Sequence, residues 1–161
     1  TGQETYSKKL QKLMFGSFNR GIANPQSEYD WLTRDQAELE RYLNDSWCGF
    51  TCTNGFYHEL LQGIQLANDP QNIASMRKTM PVYLFSGDCD PVGNMGKGVR
   101  HVQQLFAQAG MQDVTVQLYP GGRHEMLNEI NRDAVMADLL QWLEAKTAEL
   151  DKQEQSSYET V

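Results

Sequence analysis

The chain has 161 residues, of which 40% are hydrophobic and 22% are charged, a composition typical of a folded globular domain rather than a disordered segment. Its formal net charge of -7 repels phosphate backbones, which argues against nucleic-acid binding. No apolar run reaches the roughly 18 residues that a membrane-spanning helix needs.

The cysteines Cys48, Cys52 and Cys89 are odd in number and lack the second ligand pair of a zinc site. We interpret them as free, reduced thiols, which predicts a cytoplasmic protein. The chain begins at Thr1 without a signal-like segment, which is compatible with a fragment of a longer protein.

The first 79 residues are predicted to form helices and loops. The first helix carries an apolar face at helical spacing, made of Leu10, Leu13, Met14 and Phe18. A second, charged amphipathic helix is predicted between residues 33 and 44. Thr53 is the predicted N-cap of a third helix, which ends before Asp69.

The pattern changes at Pro81. Residues 82–85 are apolar on both faces, as in a parallel strand covered by helices on each side. They lead into a turn-rich loop that contains Asp90. A helix follows and ends at Gly110, and a second strand is predicted over residues 114–119.

The last predicted helix has an apolar stripe made of Val135, Met136, Leu139, Leu140 and Leu143. Strand, helix, strand is a βαβ unit with a right-handed crossover, which predicts an α/β fold. Two parallel strands are too few for a stable sheet, which needs about three or more. The open apolar edge near residues 82–85 therefore predicts self-association of the isolated chain.

Two residues in the loops after the strands suggest a catalytic acid–histidine pair. Asp90 follows the first strand and His124 the second, and functional groups of parallel sheets collect beyond the carboxyl ends of strands. A carboxylate that accepts the Nδ1 proton of a histidine leaves Nε2 free to act as a base. The order acid then histidine is the second half of the chain order serine, acid, histidine.

The nucleophile of such a triad should precede both residues within a G-x-S-x-G turn, and this turn is absent. Neither Ser17 nor Ser86 has a glycine two residues before it and another two residues after it, and Cys52 also fails this spacing. We expect the nucleophilic serine to lie outside this sequence.

Other interpretations of the same residues stay open. Asp90 could only shape a turn before a proline, and Asp88 is a local rival for the acid. His124 could be an ordinary loop residue after two glycines. His58 and His101 lie among polar neighbours on amphipathic helices, and we expect both to face solvent.

Five motifs carry a family likeness: Phe-Gly-Ser-Phe-Asn at 15–19, Asp-Trp-Leu-Thr-Arg-Asp at 30–35, Cys-Gly-Phe at 48–50, and the strand-and-loop segments 81–92 and 119–129. Through these motifs the chain resembles the lysophospholipase and monoacylglycerol-lipase-like branch of the bacterial α/β-hydrolases, often described as serine aminopeptidase S33-type. The likeness extends from about residue 10 to about residue 145.

The resemblance implies the C-terminal part of an α/β-hydrolase fold, with parallel strands and flanking helices. Residues 1–79 would form a helical cap segment and the helix leading to the core, residues 80–150 the C-terminal part of the core, and residues 151–161 a polar tail. Asp90 would be the triad acid and His124 the base, with no metal or organic cofactor. The substrate would be a lipid monoester or another small ester.

The same resemblance places the nucleophilic serine in an N-terminal half, so we expect this chain alone to be inactive. Peptidase, epoxide hydrolase or acyltransferase chemistry remains open, because a fold does not fix a substrate. A non-catalytic interaction module is a further alternative, as is one piece of a hydrolase completed by another chain. The aromatics of residues 1–79 are expected mainly to pack internally, with some lining an acyl pocket: Phe15, Phe18, Trp31, Trp47, Phe50 and Phe56.

Overall fold

A computed structural model describes residues 2–158, with side chains through Lys152. This part of the chain forms six α-helices and two β-strands, in the order α1 (Lys8–Phe15), α2 (Gln36–Asn44), α3 (Asn54–Asn68), α4 (Pro70–Ser75), β1 (Val82–Gly87), α5 (Lys97–Gln108), β2 (Val114–Tyr119) and α6 (Arg132–Tyr158). Short 3₁₀ turns lie at Phe18–Gly21 and Met126–Asn128. The helical first half and the later β1-α5-β2 unit follow the predicted order.

The strands β1 and β2 form a two-stranded parallel sheet, and α5 crosses between them. Val82 lies opposite Val114 and Gly87 opposite Tyr119, so the two strands end at the same level. The loops that follow β1 and β2 therefore leave from one edge of the sheet. Tyr119 packs with residues of α6 and of the loop before it in a small core, formed by Tyr119, Met126 and Val135 with Phe85 against them.

The far edge of β1 carries backbone groups that face away from β2. The N–H groups of Val82 and Asp88 donate to acceptors on the β2 side. Because alternate residues of a parallel strand face opposite edges, the backbone groups of Tyr83 and Phe85 point to the other side. No third strand pairs with that edge within residues 2–158.

We expect the isolated chain to self-associate through this edge, since unpaired strand edges template pairing with another chain. Sedimentation velocity over a wide concentration range should show a shift from monomer to larger species. Tyr83→Pro removes an N–H from the free edge and none from the β1–β2 ladder, and it should weaken the association. A single monomeric species at the highest concentration would contradict the expectation.

The helices of the first half begin where the sequence supplies caps. Asp35 accepts from the N–H groups of Ala37 and Glu38, so α2 begins at Gln36, three residues after its predicted start at residue 33. Thr53 caps α3 as predicted. The short helix α4 was not predicted: Asp69 caps it, and Pro70 stands at its first position, where no N–H partner is needed.

Four apolar side chains of the first half are buried: Trp31, Leu32, Leu39 and Tyr57. Phe15 and Phe18 pack against Trp31, with their ring centroids 6.5 and 4.9 Å from that of Trp31. The predicted internal packing of these three aromatic residues is confirmed. The prediction is wrong for the connection between α2 and α3. Trp47 there is 84% exposed and Phe50 is 60% exposed, because they follow the end of α2 in a surface loop. The prediction is also wrong for Phe56, in the first turn of α3, which is 45% exposed.

The last helix, α6, continues through Tyr158 and so enters the segment predicted to be a polar tail. Residues 159–161 of that segment lie outside the described residues. His58 and His101 are exposed, as predicted. None of the helices within residues 2–158 combines the length and the apolar character needed to cross a bilayer.

Candidate active site

Asp90 lies in the loop after β1, where its side chain is almost fully buried, with 5% of the residue exposed. Its Oδ1 accepts the backbone N–H of Val92 at 2.9 Å. Its Oδ2 lies 3.2 Å from Nδ1 of His124 and 3.4 Å from Oγ of Ser86. One oxygen thus fixes the carboxylate to its own loop, and the other faces the histidine.

His124 lies in the loop after β2, and its side chain is 38% exposed. An ionised carboxylate can only accept hydrogen bonds, so the Nδ1 that faces Asp90 carries the proton. Nε2 is then the free nitrogen of the neutral ring. The structure therefore brings together the two residues that the sequence singled out, in an arrangement suited to proton transfer at Nε2.

Two glycines allow the loop after β1 to pack closely against the loop after β2. The first, residues 88–96, carries Asp90 and is called the acid loop, and the second, residues 120–125, carries His124 and is called the histidine loop. A Cβ at Gly87 would overlap the carbonyl group of Gly122, and a Cβ at Gly122 would lie 3.0 Å from the Cα of Gly87. The same carbonyl of Gly122 accepts the N–H of Cys89 at 2.9 Å, next to Asp90. Backbone contact between the loops replaces side-chain packing here, and it sets the distance between acid and base.

Asp88, the local rival for the acid, has a different partner. Its Oδ1 accepts the backbone N–H of Gly121 at 2.7 Å. Gly121 has a φ of +69°, a left-handed conformation that glycine adopts without strain. Asp88 thus stabilises the turn that leads to His124, and Asp90 is the carboxylate that contacts the imidazole.

The pair perturbs the ionisation of both members. Burial raises the pKa of Asp90, but the hydrogen bond and charge of His124 and the backbone N–H groups of Val92 and Gly93 outweigh it, so the pKa lies below its ordinary value. The hydrogen bond to Asp90 raises the pKa of His124 against the opposing effect of burial. The charges of Asp90 and Glu125 raise it further.

These shifts predict a window of pH in which the pair stabilises the fold most. Asp90, with its lowered pKa, contributes above the ordinary value of 3.8 and loses that contribution as the pH falls through its folded pKa. His124, with its raised pKa, contributes below 6.5 and loses that contribution as the pH rises through its folded pKa. The difference in unfolding free energy between the native chain and Asp90→Asn should therefore be largest between these two values. Urea unfolding across a pH series measures it, and a pH-independent difference would contradict the pairing.

A segment from the first half of the chain holds the histidine loop, and sequence reasoning missed it. The carbonyl of Trp31 accepts the N–H of His124 at 3.3 Å, and that of Leu32 accepts the N–H of Glu125 at 2.8 Å. The rings of Trp31 and His124 lie 5.2 Å apart between centroids. The sequence marks residues 30–35 only as a family motif and gives no sign that they bind a segment some 90 residues away.

A cleft of about 590 Å³ opens beside this segment. Trp31 lines it together with Phe15 and Tyr29, and two lysines of α1, Lys8 and Lys12, stand among the polar lining groups. Because Trp31 also contacts the ring of His124, one aromatic side chain joins the cleft to the acid–histidine pair.

The described residues supply no hydroxyl nucleophile at the pair. Ser86 is buried on the Asp90 side, where its Oγ also lies 3.1 Å from the carbonyl oxygen of Gly87. No serine side chain within the described range hydrogen-bonds to His124. Among those residues there is also no group of three or more histidine, cysteine, aspartate or glutamate side chains placed to hold a metal ion.

Comparison with known proteins gives a family match and several similar structures. The family model described as serine aminopeptidase, S33, matches residues 3–131. A highly thermostable carboxyl esterase from Bacillus coagulans, solved with glycerol, matches with a TM-score of 0.82 at 25% identity, over 89% of this chain and 47% of that one. A lipase in its open form matches with a TM-score of 0.81 at 26% identity, over 90% and 47%.

A soluble variant of monoglyceride lipase from Saccharomyces cerevisiae, solved with a substrate analogue, is similar in fold, with a TM-score of 0.60 at 20% identity over 89% of this chain and 53% of that one. The chain thus spans about half the length of the solved structures it matches. No curated protein matches it.

Proposed function

This chain belongs to the serine aminopeptidase S33 family of α/β-hydrolases, and from that premise we propose that it carries the acid and the base of a serine-hydrolase triad. The family resemblance and the fold class predicted from the sequence are both confirmed. One observation carries the proposal: Nδ1 of His124 lies 3.2 Å from Oδ2 of Asp90, between loops that leave one edge of the sheet.

In this mechanism a serine hydroxyl from outside these 161 residues attacks the carbonyl carbon of an ester. Nε2 of His124 takes the serine proton and then gives it to the departing alcohol, which leaves an acyl-enzyme. Water next attacks the acyl carbonyl, His124 takes its proton and returns it to the serine, and the carboxylic acid is released. Asp90 stays ionised throughout, orients the imidazole and stabilises the imidazolium form.

The proposed substrate is a lipid monoester, such as a lysophospholipid or a monoacylglycerol. Two similar structures, at 25% and 26% identity, are a carboxyl esterase and a lipase. Phe15, Tyr29 and Trp31 form an aromatic side of the cleft that suits an acyl chain, and mainly polar residues line the rest of it. Residues 1–79 would then act as the cap that shields the acyl chain from water.

A substrate panel tests the proposed chemistry in the full-length hydrolase that contains this chain. The panel holds a monoacylglycerol, a lysophospholipid, an aminoacyl anilide and an epoxide of similar chain length. We expect turnover of the two esters and little turnover of the others. Preferred release from the anilide would favour a peptidase, and preferred opening of the epoxide an epoxide hydrolase. Transfer of the acyl group to an added alcohol without net hydrolysis would favour an acyltransferase.

A further inference from the structure

Glu129 is a carboxylate that the proposed mechanism does not use, and it is completely buried, with 0% of the residue exposed. Its Oε1 accepts the backbone N–H groups of Arg34 at 3.2 Å and Arg123 at 2.9 Å. Its Oε2 accepts Nε of Arg34 at 2.9 Å and the backbone N–H of Ile130 at 3.0 Å. Four donors therefore converge on one carboxylate.

Three of the four donors come from the two segments that hold the candidate base, and the fourth is the N–H of Ile130, the residue that follows Glu129. Arg123 directly precedes His124 in the histidine loop. Arg34 is the last residue of the segment 30–34, in which the carbonyl of Trp31 accepts the backbone N–H of His124. Glu129 thus ties both backbones that determine where the imidazole stands, although it does not touch the imidazole itself.

A second set of contacts joins the same two segments. Nη1 of Arg123 donates to the carbonyl oxygens of Asp30 at 2.6 Å and Thr33 at 3.0 Å. The hydroxyl of Thr33 donates to the carbonyl of Asn128, the residue before Glu129, at 2.8 Å. The segment of residues 30–34 is therefore fixed to the histidine loop at several points around Glu129.

Burying a carboxylate is costly unless its oxygens are fully paired, and a well-packed apolar residue is often no less stabilising than a buried ion pair. What the carboxylate of Glu129 provides and an apolar side chain cannot is a directional anchor for four N–H groups. We infer that Glu129 is a positioning residue, which holds His124 in the orientation where its Nδ1 meets Asp90. The effect of Glu129 on catalysis rests on the proposed function, whereas its effect on the contact between His124 and Asp90 does not.

Titration of the imidazole of His124 by NMR in the 161-residue chain tests the inference. In the variant Glu129→Gln an amide NH₂, which cannot accept hydrogen bonds, faces two of the four donors, so two of the four hydrogen bonds to residue 129 are lost. If the ring drifts from Asp90, the hydrogen bond weakens and the pKa of His124 should fall by about 0.5 unit or more. Glu129 is not among the charges that raise this pKa, so the fall would report geometry rather than lost attraction.

A matched control separates positioning from general stability. Asp113 pairs with Nζ of Lys146 at 2.8 Å, and this ion pair joins the residue before β2 to α6, at the end of the strand opposite the histidine loop. Asp113→Asn should lower the unfolding free energy and leave the pKa of His124 unchanged. An unchanged pKa in folded Glu129→Gln, or an equal fall in Asp113→Asn, would overturn the inference. If Glu129→Gln does not fold, Glu129→Asp keeps the charge but retracts the carboxylate, and the same outcomes apply.

The full-length hydrolase gives an independent readout. Glu129→Gln should lower kcat by roughly 100-fold, as expected for a base displaced by about 1 Å, with little change in KM. The acid limb of the pH profile should move to lower pH with the pKa of His124. Asp90→Asn in the isolated chain tests the pair by itself: a fall of the pKa in Asp90→Asn without one in Glu129→Gln leaves the proposed function standing and removes only the role of Glu129.

Discussion

Replacing His124 with alanine in the full-length hydrolase is expected to lower kcat by about five to six orders of magnitude, with little change in KM. The reason is that Nε2 of His124 is the proposed base for the serine and the proposed acid for the leaving alcohol. Steady-state hydrolysis of a monoacylglycerol measures the loss. A residual activity would remain from substrate binding and from the oxyanion hole.

The matched control for this variant is His101→Ala. His101 is exposed on α5, on the crossover between the two strands, and no contact of its side chain reaches the pair in the described residues. It should retain full activity. Retention of more than about one per cent of kcat in His124→Ala would contradict the assignment, because a general base alone supplies at least 10²-fold.

Replacing Asp90 with asparagine is expected to lower kcat by roughly four orders of magnitude. The asparagine amide can turn its NH₂ toward Nδ1 of His124, which stabilises the tautomer with the proton on Nε2. The ring would then present a proton to the serine instead of a lone pair. The pKa of His124 should fall at the same time, because its largest raising influence is the hydrogen bond to Asp90.

Asp88→Asn is the control for the acid. Its side chain accepts the N–H of Gly121 rather than contacting His124, and an asparagine oxygen can keep that bond. The loss of kcat should therefore stay within about tenfold, the scale of a single hydrogen bond weakened in a turn. A larger loss in Asp88→Asn than in Asp90→Asn, measured on the same ester, would exchange the roles of the two carboxylates.

The sequence predicted the parts of the fold that depend on local signals. The second strand is predicted at residues 114–119, as observed, because Val114, Val116 and Leu118 alternate with polar residues there. Thr53 is predicted as the cap of α3 because a hydroxyl residue precedes the periodic apolar positions of that helix. The contact between Asp90 and His124 followed from topology, since adjacent parallel strands deliver their following loops to one edge.

The sequence could not predict the specific contacts between residues that are far apart in the chain. The hydrogen bonds from Arg34 to Glu129 join residues 95 positions apart, and neither residue type indicates which residue it binds. A buried glutamate looks like any surface glutamate in a sequence. The exposure of Trp47 and Phe50 was missed for the converse reason, because composition favours burial of aromatics and only the fold shows a surface loop. The boundaries at residues 79 and 150 remain predictions.

Fluorophosphonate labelling followed by peptide mapping shows whether the nucleophilic serine lies outside this chain and depends on Asp90 and His124. The reagent is applied to the full-length hydrolase and, in parallel, to the 161-residue chain, with the intact mass of each recorded. We expect a single labelled serine in the full-length protein, located outside these 161 residues, and no label on the isolated chain. Labelling that depends on His124 and Asp90 would complete the triad. A label on Ser17, Ser86 or another residue of this chain, or labelling unaffected by His124→Ala, would contradict it.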